Sequence, residues 1–221
     1  MSKRVLILAA HPDDETLGCG ATIAKLASAG HQIRLLTFTD GESSRGVVGR
    51  NRNTKLNNVS KILGIQSYRV GNFPDNQMDS VSLLEICKFI EANIESSPDM
   101  IFTHHPNCLN IDHTTVHRAA LTVFRPQQGH PVDFFTFYVP SSTDWNPLAS
   151  FQANTYFDVE KEVKKKIKAL RCYDAEMRTY PHSRSYENVM NLMKAWGSEV
   201  GLRYAEKFQC IRRIVRGIGS R

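Results

Sequence analysis

The sequence predicts an α/β fold in a single domain, with a mostly parallel β-sheet and helices on both of its faces. Short apolar runs alternate with longer amphipathic stretches through the first 140 residues, which is the rhythm of β-α-β units. A length of 221 residues suffices for one hydrophobic core, so we expect one domain over residues 1–221. Hydrophobic residues make up 41% and charged residues 23%, as in ordinary globular proteins.

The individual elements follow in chain order from hydrophobic spacing and from the residues that end each run. The first apolar run, 4–9, predicts a buried strand, and the stretch that ends before Gly30 predicts the first helix. Strands are predicted at 4–9, 33–38, 65–70, 100–103, 134–139, 154–159 and 208–215. Helices are predicted at 16–28, 53–63, 82–94, 114–124, 160–174 and 185–197. Right-handed crossovers would bring the ends of the first and fourth strands to the same edge of the sheet.

Cysteine usage and hydropathy indicate a cytoplasmic protein without a membrane span. The five cysteines are scattered and no two have the spacing of a zinc knuckle or a redox motif, so we expect reduced thiols. No segment approaches the ~18 apolar residues of a membrane helix. The apolar run before His11 is also too short for a signal peptide.

The net charge of +6 raises the question of a nucleic-acid partner. Much of the excess lies in the run 161–168, whose apolar residues are four apart, so we interpret it as an amphipathic helix with a solvated basic face. We therefore expect no nucleic-acid partner. A non-catalytic metal- or nucleic-acid-binding protein that uses the basic C-terminal half stays open as an alternative. The chain has neither a phosphate loop nor a Gly-x-Gly-x-x-Gly after the first strand.

Two clusters of potential metal ligands follow the first and fourth predicted strands. His11, Asp13 and Asp14 come directly after the first, and His113 lies ten residues beyond the fourth. The carboxyl ends of parallel strands are where open α/β sheets bind ligands. A catalytic zinc needs about three protein ligands and an open position, and His11, Asp14 and His113 make such a set. Asp13 is left as a general base for metal-activated water.

The two clusters also resemble a known family. The element Ala-His-Pro-Asp-Asp-Glu at 10–15, together with Asn-x-Asp-His at 110–113, is similar to the PIG-L/LmbE-like zinc de-N-acetylases. Weaker similarities lie at 39–42, 184–185 and 205–208. The resemblance implies a Rossmann-like sheet, bound Zn²⁺ or another divalent metal, and hydrolysis of an acetamide. The substrate would be an amino sugar of the N-acetylglucosamine type or its conjugate.

The resemblance also implies roles for individual residues. His11, Asp14 and His113 would hold the metal, and Asp13 would be the general base.

Four further residues take their expected roles from the same resemblance. The family often has histidine at position 110, where it helps to stabilise the oxyanion; Asn110 can donate a hydrogen bond there but cannot carry a proton. Asp112 would orient His113 or Asn110. Arg52 and Asp75 match positions that contact the sugar. A hydrolase of a different amide stays open, and relatives that form symmetric assemblies leave a homo-oligomer open as well.

Several neighbouring residues have less specific interpretations. Glu15 is expected to favour the N-terminus of the first helix or to hold His11 in its metal-binding tautomer. His104 and His105 are left without a role, and His117 is interpreted as a residue on the helix surface or beside the ligands. Trp145 is interpreted as a buried anchor, with stacking on a sugar ring as the alternative.

Overall fold

A computed structural model describes residues 2–41, 52–126 and 132–215, with the side chains of residues 52 and 53 outside the description. Within this part of the chain the strands are β1 (Arg4–Ala9), β2 (Gln32–Thr37), β3 (Ser67–Val70), β4 (Met100–His104), β5 (Asp133–Phe137), β6 (Thr155–Asp158) and β7 (Ala205–Arg212). The helices are α1 (Asp14–Ser28), α2 (Arg52–Leu63), α3 (Leu83–Ala92), α4 (Ile111–Val123), α5 (Val163–Cys172) and α6 (Tyr186–Ser198). Short 3₁₀ turns lie at Met78–Ser80 and Asp174–Glu176.

The strands form one sheet in the order β3-β2-β1-β4-β5-β7-β6. The five strands from β3 to β5 in that order are parallel, and β7 runs antiparallel to both β5 and β6. The predicted α/β class and mostly parallel sheet are therefore confirmed. β4 pairs directly with β1, so the first and fourth strands do end side by side.

Alternate residues of β1 enter two separate apolar cores, one on each face of the sheet. Val5, Ile7 and Ala9 pack with α1, α2, α5 and α6, whereas Leu6 and Leu8 pack with α3 and α4. This burial on both sides explains why β1 is a continuous apolar run rather than an alternating one. Among the described residues, no helix combines the length and apolar character that crossing a bilayer would require.

The element boundaries differ from the predictions where a functional motif also begins a helix. The helix α4 begins at Ile111, three residues before the predicted start, because the Asn110 side chain caps it by accepting a hydrogen bond from the backbone N–H of Asp112 at 2.8 Å. Likewise α1 begins at Asp14 rather than at residue 16. In both places the segment expected to be an irregular ligand loop runs directly into the first turn of the helix.

The buried ion pair between Lys166 and Glu206 stabilises an interruption of the helical backbone within α1. The backbone of Cys19 leaves helical geometry, and the N–H groups of Ala21 and Thr22 donate instead to the Glu206 carboxylate at 3.1 and 2.7 Å. Lys166 Nζ donates to Glu206 Oε1 at 2.6 Å and to the carbonyl oxygen of Leu17 at 2.8 Å. Both charged side chains are at most 1% exposed. The basic run 161–168 is thus not wholly solvated, because Lys166 neutralises a carboxylate that caps the second half of α1.

We predict that Lys166→Met lowers the free energy of unfolding by about 3–5 kcal/mol, because it leaves the Glu206 carboxylate buried without its cation. Urea denaturation checks this. Lys164→Met is the matched control, since Lys164 lies in the same helix and is exposed. Equal midpoints for the two variants would show that the ion pair does not support the fold.

Candidate metal centre and active site

The loop between β1 and α1 holds its side chains in a strained backbone. Asp13 has φ 132°, a left-handed conformation that costs a non-glycine residue about 1–3 kcal/mol. The first turn of α1 maintains it, since the N–H groups of Thr16 and Leu17 both donate to the Asp13 carbonyl oxygen at 3.0 and 2.9 Å. The loop thereby turns sharply at the carboxyl end of β1, directly above the point where β4 also ends.

The three residues expected to hold a metal come together at this edge of the sheet. Asp14 Oδ2 lies 3.0 Å from His11 Nδ1 and 3.1 Å from His113 Nε2. One ligand atom from each of the three lies within 4.8 Å of the others, and all three side chains are buried. The loops after β1 and β4 therefore converge as the sequence suggested.

The donor atoms of this group fit a divalent metal. Among the described residues, Asp14 Oδ1 and both ring nitrogens of His113, including the Nε2 that faces Asp14, are buried without a hydrogen bond. Buried polar atoms are ordinarily paired, so their presence here indicates a site built for a ligand rather than for internal hydrogen bonds. Two imidazoles and one carboxylate form a ligand set typical of catalytic zinc.

His11 is oriented through its second ring nitrogen. Nε2 lies 3.0 Å from Asp112 Oδ2 and 3.2 Å from Asp75 Oδ1. A metal-binding histidine usually donates its other N–H to a carboxylate, so Nδ1, on the Asp14 side, is the nitrogen that would hold a metal in this arrangement. Asp112 is held in turn by the backbone N–H groups of Asn76 and Met78, at 2.7 and 3.0 Å.

Two expectations change in consequence. Asp112 lies in the first turn of α4, and its carboxylate contacts His11 rather than His113 or the Asn110 side chain. Asp75 was expected to contact sugar, but it is 3% exposed and its carboxylate faces His11. His11, Asp75 and Asp112 also form a second group within metal-binding distance of one another.

Burial and neighbouring charges set the protonation of the ligands. Burial raises the pKa of Asp14, but His113 and His104 outweigh it and hold that pKa well below its usual value. Burial lowers the pKa of His113, and Asp14 offsets this only in part. These shifts favour an ionised Asp14 and a neutral His113, the forms that bind a metal. Burial also lowers the pKa of His11, yet hydrogen bonds to Asp112, Asp14 and Asp75 raise it well above its usual value, so metal binding at His11 would release a proton.

Asp13, the expected general base, is 2% exposed and ion-paired. Arg184 Nη1 donates to Asp13 Oδ2 at 3.2 Å. Arg184 comes from the segment between α5 and α6, more than 170 residues away in sequence, so spacing gives no indication of the contact. The one signal in the sequence was the weak similarity at 184–185.

Glu15 supports the Asp13 backbone instead of His11. Its carboxylate accepts hydrogen bonds from the Asp13 N–H at 3.0 Å, the Thr16 hydroxyl at 2.6 Å and the Tyr173 hydroxyl at 3.1 Å. Burial raises the pKa of Glu15 to about 7. No motif in the sequence pointed to Tyr173.

The remaining candidates are less directly placed. Asn110 Nδ2 donates to Asn76 Oδ1 at 2.9 Å while its Oδ1 caps α4. Arg52 is the first residue of α2, and its side chain lies outside the described part of the chain. Trp145 is 52% exposed and packs edge-on against His182, with ring centroids 5.2 Å apart, so its interpretation as a buried anchor is wrong.

The other histidines of the cleft are engaged in packing and backbone contacts. His104 Nε2 accepts a hydrogen bond from the Ala10 N–H at 2.8 Å, and its ring stacks on His113 at 3.8 Å. His117 Nδ1 donates to the His104 carbonyl oxygen at 2.8 Å, which places His117 behind the ligands. His105 pairs with Gln209 at 3.1 Å.

The chain is similar to a family of deacetylases. The family model described as PIG-L, GlcNAc-PI de-N-acetylase, matches residues 6–124, which include both ligand loops. The uncharacterized deacetylase YaiS of Escherichia coli is 34% identical over 131 residues, covering 56% of this chain and 69% of that protein. A 1D-myo-inositol 2-acetamido-2-deoxy-alpha-D-glucopyranoside deacetylase of Streptomyces scabiei is 27% identical over 61% of this chain, and the chain spans only 54% of its length.

Solved structures share the fold at low identity. N,N'-diacetylchitobiose deacetylase from Pyrococcus horikoshii has a TM-score of 0.78 at 18% identity, with 95% of this chain and 84% of that chain covered. GalB, the 4-carboxy-2-hydroxymuconate hydratase from Pseudomonas putida, has a TM-score of 0.75 at 17% identity, with 98% and 100% covered. Because these neighbours differ in activity, the fold alone does not identify the reaction.

We predict that His113→Ala loses metal affinity by at least about 10-fold, since it removes one of three ligands. Isothermal titration of the metal-free protein with Zn²⁺ measures this. His105→Ala is the matched control, because His105 is a buried histidine near the cleft that pairs with Gln209. Undiminished affinity in His113→Ala, or an equal loss in both variants, would contradict the ligand assignment.

Proposed function

The chain belongs to the PIG-L (GlcNAc-PI de-N-acetylase) family, and on that basis we propose that it is a metal-dependent deacetylase of N-acetylated amino sugars or their conjugates. The observation that carries this proposal is the buried His11, Asp14 and His113 group beside an ion-paired Asp13. Relatives named as deacetylases of acetamido-glucopyranoside and chitobiose compounds support the amino-sugar substrate.

The reaction is hydrolysis of an amide. Bound Zn²⁺, or another divalent ion, would polarise the acetamide carbonyl and lower the pKa of the attacking water. Asp13 accepts a proton from the water as its oxygen forms a bond to the carbonyl carbon. The same carboxyl group then returns the proton to the leaving nitrogen as the C–N bond breaks. The products are acetate and the free amine.

The surrounding residues orient this chemistry. Asp112 and Asp75 hold the His11 ring by its Nε2, and Glu15 holds the Asp13 backbone N–H. We propose Asn110 as a hydrogen-bond donor to the oxyanion, with substrate replacing its present partner Asn76. Arg52, at the start of α2, is proposed to contact the substrate.

Asp13→Asn is predicted to lower kcat about 10²–10⁴-fold while leaving bound metal unchanged, because an amide cannot accept the proton. Steady-state kinetics together with metal analysis of the same preparation measures both quantities. Asp79→Asn is the control, since Asp79 is an exposed aspartate in the 3₁₀ turn after β3. Turnover within a few-fold of the parent protein would remove Asp13 as the base.

The proposed activity itself predicts acetate release from N-acetylglucosamine-type compounds. Acetate should appear in equal amount to free amine, and EDTA should abolish both until Zn²⁺ is restored. The panel should include N-acetylglucosamine, diacetylchitobiose and glycosides of N-acetylglucosamine. A metal-loaded protein that releases acetate from none of them, yet binds nucleic acid in a salt-dependent way, would favour the non-catalytic alternative.

A further inference from the structure

Arg184 is anchored independently of the residue with which it pairs. Its Nε donates to the Ser141 hydroxyl at 2.8 Å and to the Pro140 carbonyl oxygen at 3.3 Å. Its backbone N–H donates to His182 Nδ1 at 3.0 Å. The two bonds of Nε tie Arg184 to the segment that follows β5. The guanidinium group that contacts Asp13 is therefore anchored at a second point.

The carboxylate of Asp13 and its backbone are held by different residues. Glu15 accepts from the Asp13 N–H, and the first turn of α1 donates to its carbonyl oxygen, so these contacts fix the strained main chain. Arg184 contacts the carboxylate itself, at Oδ2. The ion pair with Arg184 is therefore one contact that restrains rotation of that carboxylate about its last side-chain bond.

Arg184 carries a positive charge, unlike Asn110, the residue proposed to donate a hydrogen bond to the oxyanion. Asn110 is neutral, and both ends of its amide are engaged, by the Asp112 N–H and by Asn76. The Arg184 guanidinium group offers hydrogen-bond donors and no acceptor. It can therefore orient Asp13 through the whole reaction without exchanging a proton.

We propose that Arg184 is a positioning residue that acts through Asp13, with Ser141 as its anchor. It holds the carboxylate at the angle needed to take a proton from water and to return it to the leaving amine. Misplacement of a reacting group by about 1 Å can cost about 10²-fold in rate, so the contact has a measurable consequence. This inference rests on the proposed function, and its test is chosen to separate the two.

The test compares Arg184→Gln, Arg184→Lys and Ser141→Ala in the full-length, metal-loaded protein. Arg184→Gln should lower kcat about 10–100-fold with KM within about 2-fold and metal content unchanged. Arg184→Lys should recover part of that loss, because the ammonium group can still reach Asp13 but cannot also bind Ser141. Ser141→Ala should lower kcat less than Arg184→Gln does.

Comparing kcat in the single and double variants separates a positioning role of Arg184 from a general effect on protein stability. The double variant Ser141→Ala/Arg184→Gln should have the kcat of Arg184→Gln alone, because the anchor has no effect once the guanidinium group is gone. Arg178→Gln is the matched control; Arg178 lies in the same segment but donates to the carbonyl oxygens of Ala175 and Met177. Its kcat should equal that of the parent protein.

Three results would overturn the proposal. The first is a kcat for Arg184→Gln within 2-fold of the parent value. The second is a loss that falls on KM or on metal content instead of kcat. The third is additive effects of the Ser141 and Arg184 changes.

A crystal structure of Arg184→Gln decides the question even if the parent protein releases no acetate. The Asp13 carboxylate should turn away from its present orientation while the side chains of His11, Asp14 and His113 keep theirs. An unmoved Asp13 would reject the positioning role. Absence of acetate release from the parent protein would reject the proposed function alone.

Discussion

The rest of the site depends on the contacts between the buried carboxylate of Asp14 and the histidine rings around it. A lone ionised carboxylate inside a protein is strongly disfavoured, and here the cost is offset by the imidazoles of His11, His104 and His113 around it. Two of those rings come from the segment that includes and follows β4, and the third from the loop after β1. The pairing of β1 with β4 thus brings the imidazoles that lower the pKa of Asp14 next to its carboxylate.

Two further carboxylates lie behind the expected metal ligands. Asp112 and Asp75 contact the far nitrogen of His11, and backbone N–H groups from the loop after β3 hold Asp112. The segments that follow three parallel strands, β1, β3 and β4, therefore supply His11 and the groups that orient its ring. Burying several ionisable groups together costs free energy of folding, so the cluster fits a cation site better than a purely structural role.

The sequence was sufficient for the sheet and for the convergence of the two loops that bring His11, Asp14 and His113 together, because these depend on local apolar runs and on a short motif at strand ends. The similarities at 184–185 and 205–208 marked the segments of Arg184 and Glu206, but nothing in the sequence indicated their partners or Tyr173, since each contact joins residues far apart in the chain. The partner of Asp112 was misassigned for a related reason. Whether the aspartate faces His11 or His113 depends on where α4 begins, and the cap that fixes this, Asn110, belongs to the motif itself.

We propose that His11 Nδ1, Asp14 and His113 bind one divalent cation beside Asp13. An anomalous-scattering map from crystals of the zinc-loaded protein would locate the ion. A single zinc peak is expected about 2.0–2.2 Å from one atom of each of the three residues. A peak on the other side of the ring, between His11 Nε2, Asp75 and Asp112, would contradict it.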